Sequence, residues 1–228
     1  MTTDDVAQAE RVTAIGFHEL DTRMFRRSWP DPQLRPPARS THWIRRTQHL
    51  LSTDPGGCWV AEDGSDLLGV VVSFVREKMW LLASYAVVPG AQGLGLGRAL
   101  LAPALEHGRG SLRAMLNASN DPKAVRRYHE AGFRLYPQMF LRGAPDRSTI
   151  PVVEKVREGS ADDIDLMDSI DRQTRGAAHG SDHEVLLEQL RLVVSDTSTG
   201  QGYAYLDGFA GLRHMKPPTP YLPHGALM

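Results

Sequence analysis

At 228 residues, 41% of them hydrophobic, the chain is long enough to bury one large core or two small ones. With 26 basic against 27 acidic side chains the net charge is −1, so no global field recommends nucleic acid or an anionic membrane, and neither is expected as a partner. A single cysteine, Cys58, excludes an intramolecular disulfide and fits a reducing cytoplasm, and no apolar run approaches the roughly 20 residues of a membrane span, so the expectation is a soluble, cytosolic protein.

Taken in chain order, Asp4 and Asp5 open a predicted first helix with Val6, Ala9, Val12 and Ile15 on one buried face. Residues 29–37 carry four prolines and exclude regular helix, which predicts an irregular crossing. Thr41 is the expected cap of a second helix running to Leu51. Cys58–Glu62, Leu67–Arg76 and Met79–Val88 read as three successive antiparallel strands, the first pair joined by Asp63-Gly64-Ser65-Asp66. Cys58, between Gly57 and Trp59, reads as a buried strand thiol rather than a nucleophile.

The third strand runs into Pro89-Gly90-Ala91-Gln92-Gly93-Leu94-Gly95-Leu96-Gly97-Arg98 and then directly into an apolar helix. Glycines without a Cβ let the backbone approach a bulky anion, and the first turn of a helix leaves its N–H groups unpaired at the positive end of the macrodipole. Gln92 to Gly97 is therefore expected to attract a di- or polyphosphate. A Walker-type loop needs Gly-Lys-Ser/Thr, and Arg98-Ala99 follows Gly97 instead. A dinucleotide fingerprint needs Gly-x-Gly-x-x-Gly after a first strand, and here the glycines alternate in mid-chain. Pro103 is expected to kink or shorten the helix that follows. Leu112–Leu116 is the next strand, Asn120 or Asp121 caps a helix over 122–131 closed by Gly132, and Phe133–Leu141 is the expected terminal strand or pair.

Val87, Pro89, Gln92, Gly95 and Gly97 satisfy Val-x-Pro-x-x-Gln-x-x-Gly-x-Gly, which resembles the acetyl-CoA signature of GNAT-type N-acetyltransferases. About thirty residues on, Asn120 to Phe133 is similar to the helix of that family that ends in Tyr-x-x-x-Gly-Phe, here Tyr128, Gly132 and Phe133. The resemblance covers residues 1–143 and implies an α+β fold with a mixed, mostly antiparallel sheet flanked by helices. It implies that acetyl-CoA enters a wedge where the strand before the glycine turn splays from Leu112–Leu116. The cofactor contacts it implies are Val87, Val88, Gln92, Gly93, Leu94, Gly95, Leu96, Gly97 and Arg98, with main-chain N–H at Val87 and adjacent Val88 polarising the thioester carbonyl. Tyr128 is the implied acid for the departing thiolate. No metal is expected. A small-molecule or peptide amine is the implied acceptor, attacked directly in a ternary complex; the alternative is a non-catalytic acyl-CoA-binding or regulatory module.

No carboxylate lies on Trp80–Ala86, leaving Glu62, Glu77, His18, His42 or a water chain as base. Trp29, Trp43, Trp59 and Tyr85 are candidates for an acceptor pocket or for core, and Arg126 and Arg127 for the nucleotide 3′-phosphate or for solvent. Residues 144–151 read as a linker, after which the chain looks like an incomplete second copy over 152–228, with no second glycine motif. Ala161-Asp162-Asp163-Ile164 compares with Thr3-Asp4-Asp5-Val6, a helix-like stretch from His183 to Val194 with His42–Leu51, and Thr199–Tyr205 with Pro55–Ala61. A Pro-rich arm, Lys216–Pro223, ends it.

Overall fold

In the computed structural model, residues 1–27, 29–137, 146–149, 155–198 and 200–206 are described. Helices α1 (Val6–Arg23) and α2 (Pro37–Thr53) precede strands β1 (Cys58–Asp63), β2 (Asp66–Arg76) and β3 (Met79–Val87); α3 (Leu96–His107), β4 (Arg113–Leu116) and α4 (Pro122–Glu130) follow. A second group comprises β5 (Val156–Glu158), α5 (Ile164–Thr174), α6 (Asp182–Gln189), β6 (Arg191–Thr197) and β7 (Gly200–Leu206). The first sheet has the order β1-β2-β3-β4, antiparallel except for the parallel β3–β4 pair; the second, β5-β6-β7, is antiparallel throughout. The fold is thus α+β with a mixed, mostly antiparallel sheet and a smaller three-stranded sheet beside it.

The first sheet is covered on both faces because its central strands are apolar on both. Val70, Val72, Leu81 and Ala86 face α1 and α2, whereas Val71, Trp80 and Leu82 face Leu100, Leu101 and Ala104 of α3. Such two-sided burial reads in the sequence as the continuous runs Leu67–Val75 and Met79–Val88. Cys58 is 1% exposed on β1, and burial, with Asp54 nearby, pushes its thiol up to about 12, which makes it an inert core group.

Four expectations are corrected. Ile15 is 48% exposed: the buried stripe of α1 continues instead through Glu10 and Thr13, both held by Arg35 Nη1 at 2.7 and 2.9 Å. Helix α2 starts at Pro37, not Thr41, because a proline fits the first helical position and needs no N–H partner there. Pro103 neither ends nor shortens α3, which runs on to His107. Near that end Trp80 Nε1 donates to the Ala104 carbonyl at 2.8 Å, and Gly108 N–H bonds Leu105 instead. Trp80→Phe is therefore expected to lower stability by about 2 kcal/mol, read by urea unfolding, since the carbonyl loses its principal partner in a buried setting. Finally, 133–137 forms no strand, and 138–141 lies outside the described residues.

In the second group α6 ends at Gln189, and Arg191–Thr197 is strand, so the helix-like reading to Val194 is corrected. As a result Gly200–Leu206 is the second strand after the helices, not the first, so its place in the chain order is that of β2 and not of Pro55–Ala61. The described order α5-α6-β6-β7 repeats α1-α2-β1-β2 in kind. The linker residues 144, 145, 150 and 151, Gly208-Phe209 and the Pro-rich arm lie outside the described residues.

Candidate functional site

The β3–β4 ladder pairs Met79 with Arg113 and ends at Leu82 with Leu116, so β3 from Ala83 to Val87 has no strand partner on that side. On its other side β3 stays paired to β2 as far as Gly69↔Val87. The N–H of Val88 donates to the Leu68 carbonyl at 2.9 Å. In an antiparallel ladder successive residues alternate sides, so the N–H groups of Val87 and Tyr85 turn toward the gap left by β4. Of the two amides expected to polarise a carbonyl, Val87 faces the gap and Val88 is already engaged.

Beyond β3 the chain makes one 3-10 turn, Pro89–Ala91, in which Ala91 N–H bonds Val88 and Gln92 N–H bonds Pro89. Gln92 Nε2 reaches back to the Val87 carbonyl at 3.2 Å and fixes the exit of the strand. Gly93 and Gly95 both adopt φ +87°, and a Cβ on either would meet nothing within 4 Å: the space in front of the turn is open. Gly95 is the cap of α3, so Leu96, Gly97 and Arg98 are the first-turn residues whose N–H groups have no intrahelical acceptor; Ala99 N–H is the first to bond back, to Gly95. Among the described residues no acceptor takes the amides of Gly93 to Arg98. Gly97 is tight for another reason: a Cβ there would stand 2.5 Å from the Tyr85 hydroxyl.

Gly93, Leu94, Gly95 and Arg98 are exposed, Leu94 by 74%, whereas Leu96 and Gly97 are half-buried. Glu130 at the end of α4 draws in Arg98 at 4.0 Å, Arg126 at 3.2 Å and Arg127 at 2.9 Å, leaving a net positive cluster beside the turn. The turn is an open groove; a cavity of 450 Å³ lies away from it, against Ile170, Gln173 and Thr174 of α5.

Helix α4 is capped by Asp121, whose Oδ1 accepts the Lys123 N–H and an Arg23 guanidinium N–H from the end of α1. That pairing ties α1 and α4 together across the gap. Tyr128 of α4 lies with its ring 6.1 Å from that of Tyr85 and 6.4 Å from that of Phe133. Burial, then the neighbouring Tyr85 and Asp121, push the Tyr128 phenol well above the ordinary tyrosine value, so it carries its proton at neutral pH. The structure thus brings Val87, Gly93 to Arg98, Tyr85 and Tyr128 to one end of β3.

It does not bring Trp43 or Trp59 there, and Trp29 lies before α2 with the Arg26 guanidinium 5.6 Å from its ring. Trp43 Nε1 bonds Ser84 on the α1–α2 face, the opposite face from Tyr85, while Trp59 bonds Gly56 and is 43% exposed on β1. Among the base candidates, Glu77 sits before β3, about 30 Å along the strand from Val87, and pairs with Arg172. Glu62 lies on the edge strand β1, and the His42 carbonyl accepts from Gln189 of α6. His18 stays in play: its Nδ1 is buried without a partner, as is Glu19 Oε2. Glu19 is a carboxylate that motif reading missed. It stands one turn after Gly16, whose Cβ position is 3.7 Å from the Val87 carbonyl, and no local spacing signals that approach.

The family model described as Acetyltransferase (GNAT) family matches residues 15–133. The chain belongs to the Acetyltransferase (GNAT) family, a family of acyltransferase enzymes. Over 89 residues it is 42% identical to a mycothiol acetyltransferase of Streptomyces bingchenggensis (strain BCW-1), a match covering 36% of this chain and 29% of that protein. The chain therefore spans under a third of that relative's length. A putative acetyltransferase from Pyrococcus horikoshii shares its fold with a TM-score of 0.64 at 18% identity, over 91% of this chain and 66% of that one. Among the described residues no helix is long and apolar enough to cross a membrane.

Proposed function

We propose that this chain is an N-acetyltransferase that moves the acetyl group of acetyl-CoA to an amine held in a ternary complex. One observation carries the reading: among the described residues the amides from Gly93 to Arg98 lack acceptors, and they ring an open turn just beyond the stretch of β3 that β4 leaves unpaired. A left-handed Gly93 and Gly95, with free space where a Cβ would stand, suits a cradle for a bulky diphosphate. Acetyl-CoA, when bound, supplies an acetyl group activated as a thioester.

The residues of the chain do the remaining work. The amides of Gly93 to Arg98 hold the diphosphate, and the cluster of Arg98, Arg126 and Arg127 adds positive charge beside it. Val87 N–H, aimed into the gap, is the fixed donor for charge growing on the acetyl oxygen. Tyr128 holds its proton at neutral pH and gives it to the departing sulfur. Glu19, whose Oε1 accepts from Arg23 Nε at 3.2 Å and whose Oε2 is buried without a partner, is the carboxylate offered to take the proton of the amine, and His18 is the second candidate. Residues 1–143 form the acetyl-CoA unit, 144–151 a linker, and 152–228 a partial second copy.

Release of free CoA thiol against a panel of amines tests this, with compounds of the mycothiol class included because of the Streptomyces relative's name. Tyr128→Phe is expected to lower kcat by about 100-fold while leaving KM for acetyl-CoA within about twofold, the signature of a lost proton donor. Tight binding of acetyl-CoA with no thiol release for any amine would instead favour the binding-module reading, to which the absence of a carboxylate on β3 gives some weight.

A further inference from the structure

Far from the glycine turn, α5, the loop after it, α6 and β7 converge on a buried polar cluster that acetyl transfer does not use. Asp168 and Asp171 stand on α5, His179 in the loop, His183 in the first turn of α6 and Tyr203 and Tyr205 on β7. The side chain of His183 is 0% exposed and those of His179 and Asp171 are each 6% exposed. Both histidine Nε2 atoms are buried without a hydrogen-bond partner.

The cost of such an arrangement is the clue. His183 Nδ1 meets the Tyr205 hydroxyl at 2.9 Å, and its Nε2 lies 3.2 Å from Asp168 Oδ1 and 3.5 Å from Asp171 Oδ2 without forming a hydrogen bond to either. His179 Nδ1 approaches the same Asp171 Oδ2 at 2.5 Å, and one ligand atom each from Asp171, His179 and His183 falls within a 4.8 Å circle. Tyr203 donates to Asp171 Oδ1 at 2.6 Å, and the Gly180 N–H to Asp168 Oδ1 at 3.0 Å, so the carboxylates are oriented from outside the cluster. A metal-ligating histidine commonly engages its other ring nitrogen as His183 engages Tyr205 through Nδ1, and carboxylate partners are likewise hydrogen-bonded; His179, ligating through Nδ1, lacks such a partner at Nε2 among the described residues.

We propose that Asp171, His179 and His183 bind a zinc ion that clamps the second unit, with Asp168, which stands 3.2 Å from His183 Nε2 but outside that group of three, moving in as the fourth ligand. Around a tetrahedral zinc with bonds of about 2.0–2.1 Å, neighbouring ligand atoms stand about 3.3 Å apart, which is the spacing of His183 Nε2 from the two carboxylates. His179 Nδ1 needs to withdraw from Asp171 by less than about 1 Å to reach the same spacing. Two imidazoles and two carboxylates with no thiolate suit zinc in tetrahedral geometry better than calcium or magnesium. The Arg175 guanidinium lies near enough to Asp171 to act on it electrostatically and is held by the Ala177 and Ala178 carbonyls; with two carboxylates facing a divalent ion, it leaves the site with a net charge of +1. The packing leaves room for a clamp: among the described residues the buried apolar cluster of this unit is Met167, Leu192 and Val194, joined by Ala177, Ala178, Val185 and Leu186 as its other buried apolar residues, a small core to which a metal ion would add stability. The sequence gives a faint signal, Asp-x-x-Asp followed by His-x-x-x-His, split across two helices and a loop.

The test uses the full untagged chain, stripped with EDTA, dialysed and titrated with zinc chloride. One equivalent is expected to bind, and the melting temperature to rise by about 5–10 °C at a hundredfold excess over Kd. His183→Gln and Asp171→Asn are each expected to lose most of that rise. Because either substitution could unsettle a buried network, zinc-edge X-ray absorption on the native chain decides independently: four nitrogen or oxygen neighbours and no sulfur are expected. Absence of stoichiometric binding, a sulfur neighbour, six-coordination by surface groups, or full retention of the rise in both folded variants overturns the proposal.

Discussion

Gly95→Trp is expected to abolish the thermal stabilisation that acetyl-CoA gives the native chain while leaving the fold in place. Gly95 sits at φ +87°, ψ −10° as the cap of α3, and a Cβ there would meet nothing within 4 Å. The backbone cost of a side chain in that left-handed position is about 1–2 kcal/mol, tolerable for a folded chain of this size. The indole, however, would occupy the open space that a diphosphate must enter to reach the amides of Gly93 to Arg98. A ligand at a hundredfold excess over Kd stabilises by about 2.7 kcal/mol, or about 5–10 °C here, and the variant is expected to show less than about 1 °C. Gly95→Ala separates the two effects, since it pays the same backbone cost yet keeps the groove clear and so retains most of the shift. Differential scanning calorimetry with millimolar acetyl-CoA reads all three chains. Equal shifts in the native and Gly95→Trp chains would place the thioester elsewhere and remove the basis of the proposed chemistry.

The elements that a reader of the sequence recovers are those whose signal is local. β2 and β3 are long apolar runs broken by turn residues, and α4 announces itself with Asp121-Pro122, a cap followed by a residue that needs no donor. Where two local signals compete, the reading slips. Thr41 looks like a cap, but Pro37 four residues earlier is the better helix start, and Thr41 Oγ1 instead bonds the Pro37 carbonyl from inside the helix. Leu190-Arg191-Leu192-Val193-Val194 continues the apolar character of α6, and only pairing with β5 and β7 makes it a strand.

The candidate site divides in the same way. The glycine turn is contiguous and carries its own physics, so it is legible. Tyr85 and Tyr128 meet across 43 positions of sequence only because α4 lays Tyr128 against the end of β3 that β4 leaves unpaired. Which of Val87 and Val88 offers its amide depends on the parity of the β2–β3 ladder, a register that composition does not encode. Glu19 enters through the crossing of α1 over the end of β3, and the Asp–His cluster through the packing of α5 against α6. Both are tertiary facts: Glu19 leaves no signal in the chain, and the cluster only the faint Asp-x-x-Asp and His-x-x-x-His spacing.

Arg76→Met is expected to destabilise the chain by about 3–5 kcal/mol and to flatten its acid denaturation, because Arg76 is the hub of a buried charge network joining the two units. Its guanidinium, 11% exposed, bonds Asp54 at 2.7 Å and Asp182 of α6 at 2.5 Å; His49 pairs with Asp182 at 2.9 Å and His107 with Asp54 at 3.3 Å. Burial alone would raise both carboxyls, but at Asp54 the hydrogen bonds from Arg76, Thr53 and the Val75 N–H outweigh it, and at Asp182 those from His49 and Arg76 do so, leaving both below the usual carboxylate range. A carboxyl whose folded pKa lies below its unfolded value of about 4 contributes stability that is fully present above that pH and is lost as pH falls through the folded value. Methionine keeps an unbranched stem but loses the guanidinium that lies over the Phe74 ring at 4.9 Å and leaves two buried carboxylates without their arginine partner, so their depression shrinks and with it the pH-dependent part of the stability. Urea unfolding of the native chain and the variant between pH 2 and 7 reads this directly. The native chain is expected to lose stability steeply below about pH 4 and the variant more gradually, so that the two curves approach one another in acid. A constant gap across the whole range would mean that Arg76 acts through packing on Phe74 rather than through its charge, and a gap below about 1 kcal/mol would remove the network as the tie between the units.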